Sequence, residues 1–486
     1  MSRRRLLGHS AGLALGSAHL GRLRAQPVGD ERFLVVLTAH GGASITDSFL
    51  AVSRQECAAA GGDPSRLVAF DQHPGVVPSG NRYALVRPVP GTPFRATAWR
   101  GSVNFGQEIE KAVDLYPFVQ KHHRDMLVLT QTVSSVNHDT GQARSVTGAG
   151  AFRGRSIQEE MAVRYGASRV LPNVLLTTGS GFVRRGRDVS LDPRFVGEIV
   201  PDPLSWPIAL GSEGLPLSRD LIRRARSIRD ELLEPETSFA RTFANSRERE
   251  RWLRTRQTRQ ADLESAEVTR KLLLGGTVLG AAPEASRLRE VFPTMEEDPV
   301  EAQAAMAFLL LKNRFSSSVT LGPNATGITV GSPNDQDFLR QLSLSFDYSH
   351  TDHFSGQLWM WDRVLLLADR LIDLLKAEPL DSEGQESMWD RTVMYFATEF
   401  GRQRGRPPNA LEFTSGHALN NGVLMMSPLL RGNQVVGGVD PARIETYGPD
   451  SQSHYSEVHA YATLLGALDV DTSGSGLPDM SALVRG

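Results

Sequence analysis

Five short apolar runs punctuate the chain, and most end in glycine or small polar residues. "RFLVVLTAHGG" (Arg32–Gly42) reads as a buried strand whose C-terminal end carries a loop. "DMLVLTQTV" (Asp125–Val133) repeats the pattern after "EIEKAVDLYPFVQKHH", whose spacing predicts a helix. "NVLLTTG" (Asn173–Gly179), "DRTVMYFATEFG" (Asp390–Gly401) and "GVLMMSPL" (Gly422–Leu429) supply three more strands. The fourth of these five follows "GQLWMWDRVLLLADRLIDLLK", a strongly amphipathic helix. Strands alternating with helices predict an α/β fold with a mainly parallel sheet covered on both faces, and ligands in such sheets gather at the C-terminal ends of strands. Residues 216–300 break the pattern. They are dense in Arg, Glu and Leu at helical spacing and offer no strand, so they read as a helical insertion between core segments 30–215 and 301–486.

Charge and cysteine content narrow the chemistry. The 486 residues carry a formal charge of −2, but residues 1–25 contribute five arginines and no acid, leaving 48 basic against 55 acidic side chains beyond them. An acidic body argues against nucleic acid as a partner, and no apolar run reaches the roughly 18 residues of a spanning helix. "SRRRLLG" followed by a Gly/Ala-rich middle and "LRAQP" reads as a twin-arginine export signal cleaved after Ala25, which predicts a periplasmic or otherwise exported protein. Cys57 is the only cysteine, so an intrachain disulfide is excluded, as are thiolate metal clusters. Any metal is left to oxygen and imidazole.

Such donors cluster at predicted strand ends and loops. His40 and Asp47 follow the first strand, and His138 and Asp139 follow the second. "SFDYSHTDHF" packs Asp347, His350, Asp352 and His353 ahead of the long helix; Glu399 ends the fourth strand in "ATEFGR", and His417 sits in "FTSGHALNNG". Each alone has a bland reading as a cap, a turn residue or an ion-pair partner. Together they are the supply from which a one-metal or two-metal oxygen/nitrogen site is built.

The order of these clusters resembles the family of twin-arginine-exported proteins known as domain of unknown function 1501, allied to the alkaline phosphatase and sulfatase superfamily. The resemblance rests on "GGASITDSF", "NHDTGQARSVTG", "FDYSH", "ATEFGR", "SGH" and "EVHAYATLLGALDVD", spread from Gly41 to Asp471. It implies a three-layer α/β/α sandwich with metals at the C-terminal sheet edge. It also implies Asp47, Asp347, His350, Glu399 and His417 as metal ligands, with Phe400 standing where a metal histidine would fall. His459 would support the site from behind, with Asp352 and His353 as reserves. Nine residues before Thr147–Gly148, where sulfatases place a nucleophile, stands His138, an imidazole that suits metal ligation or base chemistry.

The expected function is hydrolysis of a small anionic ester, phosphate or sulfate, by a metal-bound water. His138 would join the ligands, and Arg144 or Arg402 would hold the anionic oxygens. One or two divalent ions are expected: Zn²⁺ for the imidazoles, Mn²⁺, Mg²⁺ or Ca²⁺ if the carboxylates dominate. The alternative is a non-catalytic relative serving in envelope binding or assembly.

Overall fold

The computed structural model describes residues 31–65, 83–104, 108–177, 180–210, 219–244, 246, 249–250, 253, 263, 267–275, 281–323, 345–350, 352–403, 414–448 and 454–485. Residues 1–25, expected from the sequence to be an export signal, lie outside them. Residues from Arg32 onward form one compact unit.

Eight strands make the central sheet: β1 Phe33–Ala39, β2 Met126–Thr132, β3 Asn173–Leu175, β4 Glu198–Ile199, β5 Ser318–Leu321, β6 Thr392–Thr398, β7 Asn420–Met426 and β8 Gln434–Val436. Their spatial order is β8-β2-β7-β6-β1-β5-β3-β4. β1 pairs in parallel with both β5 and β6, whereas β7 is antiparallel to both of its neighbours, β2 and β6. Helices α1 His138–Thr147, α2 Ile157–Tyr165, α3 Arg219–Ile228, α4 Pro299–Lys312, α5 His353–Ala377 and α6 Glu457–Ala467 supply most of the remaining long elements.

All seven residues of β1 are buried, as expected for a strand covered on both faces. Their alternation divides the interior into two cores. Phe33, Val35 and Leu37 join Val128, Met394 and Phe396 beneath α4 and α5, while Leu34 and Val36 join Leu129, Val393 and Tyr395 beneath α2 and α6. A mostly parallel α/β sheet with helices on both faces is therefore the architecture.

The expected helix in "EIEKAVDLYPFVQKHH" is corrected in part. Glu108–Asp114 is the last strand of a separate antiparallel sheet with Tyr83–Pro88 and Arg95–Asn104, and the helix begins only at Tyr116. The register sets Ile109 opposite Val103 and Val113 opposite Trp99. Such pairs of β-branched and aromatic positions favour a sheet over the helical propensity of Glu, Lys and Ala.

Candidate metal centre

Topology gathers the chemistry at one sheet edge. His40 and Gly41 follow β1, His138 opens α1 beyond the end of β2, and Glu399 follows β6. His417 instead precedes its strand. Because β7 runs antiparallel, with Asn420 opposite Thr132 at the end of β2, its beginning lies at the same edge as the ends of its neighbours. A short antiparallel ladder then sets Arg402 opposite His417.

Asp347 and His350 lie on one 3-10 turn, Phe346–His350. With three residues per turn, side chains at i and i+3 share a face, so the Asp-x-x-His spacing aims both into the cluster. The turn packs against Gly41, where a Cβ would fall 1.9 Å from the backbone nitrogen of Asp347; Gly41 also adopts φ of +90°. Only glycine serves here.

Four donors converge within 4.8 Å of one another: His138, Asp347, His350 and His417. Asp347 Oδ1 lies 3.5 Å from His138 Nε2, 3.3 Å from His350 Nε2 and 3.8 Å from His417 Nε2, and the last two nitrogens are 2.8 Å apart. Ligands about 2.0–2.2 Å from a tetrahedral ion stand about 3.3–3.6 Å from each other. The observed spacings straddle that range, so small side-chain adjustments would admit an ion.

The hydrogen bonds behind two imidazoles set their chemistry. His417 Nδ1 is 2.9 Å from the carbonyl of Val136, and His138 Nδ1 is 3.0 Å from Glu399 Oε2. Carbonyl and carboxylate oxygens only accept, so each Nδ1 carries a proton and Nε2 is the nitrogen that faces the cluster. Carboxylate–histidine pairs of this kind orient metal-binding imidazoles. Glu399 thus stands behind His138; its other oxygen accepts from the Gly41 N–H, and its side chain is fully enclosed.

Electrostatics follow from these contacts. Burial works to lower the His138 pKa, but the hydrogen bond and charge of Glu399, with the charge of Asp347, raise it above its ordinary value. Burial pushes Asp347 up, yet His417 and the Arg402 guanidinium outweigh it and hold the carboxyl at about 2. Burial and Arg402 lower His350. His40, buried and repelled by His138, falls to about 4 and stays neutral.

The other expected residues lie elsewhere. Asp47 is buried with its Oδ2 3.2 Å from His353 Nε2, and His353 Nδ1 is 2.7 Å from the Ser415 hydroxyl. Asp352 sits at the turn into α5, where its carbonyl accepts from Gly356. His459 caps the start of α6 with Ser456. Arg144 donates to the carbonyl and hydroxyl of Ser134. Arg402 is fully buried and its terminal nitrogens bind Asp347 Oδ1 at 2.9 Å and the carbonyls of Gly41, Phe346 and Ser415. Arg402 therefore presents no free fork to an anion. Phe400 stacks on His417 with ring centroids 4.0 Å apart and meets His138 edge-on at 5.0 Å, walling one side of the cluster.

Sequence reasoning passed over Ser415, although it lies two positions from His417 in "TSGH". Its N–H donates to the Ser349 carbonyl, its carbonyl accepts from Arg402 and its hydroxyl meets His353. It ties the segment bearing His417 to the one bearing His350. Ser415→Ala keeps both backbone ties and removes only the hydroxyl contact to His353, so Zn²⁺ affinity should change by less than about tenfold, the low end for residues that orient ligands directly. Competition against a chromophoric chelator measures this; a larger loss would mean that the hydroxyl itself positions the cluster.

Comparison of the chain with protein-family models, with curated proteins and with solved structures finds no match, so the four-donor cluster carries the functional reading by its own geometry.

Proposed function

We propose that His138, Asp347, His350 and His417 bind one divalent ion in an exported hydrolase of small phosphate or sulfate esters, with an alkaline phosphatase/sulfatase-like fold and membership of the domain of unknown function 1501 family. The observation that carries this reading is the partial exposure of the cluster. The side chains of His138, Asp347 and His350 keep 30%, 22% and 44% of their surface in water. Structural zinc sites are closed, whereas catalytic sites keep an open position. A divalent ion held there supplies Lewis acidity and lowers the pKa of water that it coordinates.

The chain's own groups have defined tasks. Glu399 holds the His138 proton on Nδ1 and so leaves Nε2 to face the ion. His350 is the most exposed of the four donors and borders the open face. Arg402 positions Asp347 and lends fixed positive charge without clamping substrate. Three imidazoles favour zinc over magnesium or calcium. The wall made by Phe400 and the pairing of Asp47 with His353 favour one ion rather than two.

The test is turnover by zinc-loaded protein of aryl phosphate, phosphodiester and aryl sulfate esters. One class should be hydrolysed, and His138→Ala should slow that reaction by about a hundredfold or more. The absence of a hydroxyl or thiol at position 138 favours a second reading, an envelope binding or assembly protein that retains the ion. Loaded protein inert towards all three ester classes would decide for it.

A further inference from the structure

An amphipathic surface helix normally turns its apolar stripe towards the core. The first described arm of the helical insertion, residues 219–244, leaves large apolar residues in water instead. From α3 the chain continues through a π turn, Arg229–Leu233, and a 3-10 turn, Glu234–Glu236, into a short helix, Ser238–Thr242. Leu221 and Ile228, seven residues apart on α3, and Leu232 in the π turn are 52%, 44% and 64% exposed. Leu233, Phe239 and Phe243 extend the exposed surface, and the two phenyl rings pack together with centroids 5.0 Å apart. Single exposed apolar residues need no explanation, but six on one arm mark an interaction surface.

Charge decides what covers it. Residues 219–244 hold six arginines and five acids, arranged with the basic ones mostly before Asp230 and the acidic ones mostly after Arg229. An anionic membrane would attract the first half of the arm and repel the second. Several charges are already used within the chain: Arg229 bonds Asp230, and Arg249 bonds the buried Glu234. Arg224 and Glu231 remain exposed, the latter accepting from Ser227. They stand on either side of Ile228 along the arm, four residues before it and three after it, carrying opposite charge.

We propose that this arm pairs with the same arm of a second copy of the chain, antiparallel about a two-fold axis near Ile228. Two-fold contacts must be self-complementary. In this arrangement Arg224 of each copy faces Glu231 of the other, while Ile228 and Leu232 bury their exposed faces at the centre. The pairing is independent of the metal centre and of any hydrolytic activity.

Sedimentation velocity of the full chain across a range of concentrations tests it. Wild type should show a monomer–dimer equilibrium, and the Ile228→Asp/Leu232→Asp double variant should be monomeric throughout with an unchanged circular dichroism spectrum. Arg224→Glu and Glu231→Arg should each raise the dissociation constant on the order of tenfold, because two attractive pairs become repulsive. The Arg224→Glu/Glu231→Arg double variant should restore it to near the wild-type value. These charge effects should fade as salt rises from 0.1 to 1 M and the Debye length falls from about 10 Å to about 3 Å. Monomeric wild type at every concentration overturns the proposal, as does failure of the double charge swap to restore pairing. Monomeric wild type that cosediments with phosphatidylglycerol vesicles would assign the surface to a membrane instead.

Discussion

Metal-stripped protein equilibrated with Zn²⁺ takes up one ion per chain, and Asp347→Ala and His417→Ala each lose affinity by more than Glu399→Gln does. The ranking follows from position. Asp347 and His417 place donor atoms in the four-member cluster, whereas Glu399 acts through His138. Loss of such an outer partner costs about 10–100-fold in metal affinity; loss of a donor removes the bond itself. At a free zinc concentration a hundred times the dissociation constant, binding should add about 2.7 kcal/mol to folding stability. Equilibrium dialysis with elemental analysis and a denaturant titration measure both quantities. Retained metal content in Asp347→Ala, or wild type that takes up no ion and unfolds at the same midpoint with and without zinc, would sink the site.

The same experiment run against pH separates two opposed effects. In metal-free protein the raised His138 pKa means that its pairing with Glu399 stabilises the fold fully below the ordinary imidazole value, and that this contribution is lost as pH rises through the raised one. Metal binding has the opposite slope, since imidazole ligands must be unprotonated and the ion competes with protons at Nε2. Zinc-dependent stabilisation should therefore grow as pH rises through the range in which metal-free protein loses the His138 contribution. Parallel slopes with and without zinc would show that His138 is not a ligand.

How far the site could be read from the chain depended on whether local spacing or distant topology placed each residue. The buried strands were legible because continuous apolar runs such as "FLVVLTA" have few other uses. β5, "SVTL", escaped notice because four residues beginning with serine carry no pattern, although the strand pairs directly with β1 at the sheet centre. Asp347 and His350 were legible as a pair, but their common aim depended on a 3-10 turn that spacing alone leaves open against His353. Asp47 looked equal to Asp347 as a ligand. The two differ because Asp47 is enclosed beside His353 at the start of α5, a neighbour more than three hundred residues away. Arg402 read as an anion clamp because the sequence cannot show that three carbonyls and a carboxylate already occupy its terminal nitrogens.

Arg402→Gln should destabilise metal-free protein by about 3–5 kcal/mol, the range for removing one partner of a buried ion pair. The side chain is fully enclosed, and its removal leaves Asp347 without its main fixed counter-charge and takes a donor from each of three carbonyls. Glutamine is shorter and neutral, and cannot span from Ser415 to Gly41 as the planar guanidinium does. Zinc changes the balance, because a bound dication supplies Asp347 with a counter-charge and no longer meets the repulsion of a guanidinium 2.9 Å from the same oxygen. The stability deficit of Arg402→Gln should therefore shrink when zinc saturates both proteins. Urea titrations of wild type and variant, each with chelator and with saturating zinc, give the four free energies required. An equal deficit in the two conditions would mean that Arg402 supports the fold through its carbonyl contacts alone and that its charge has no bearing on the cluster.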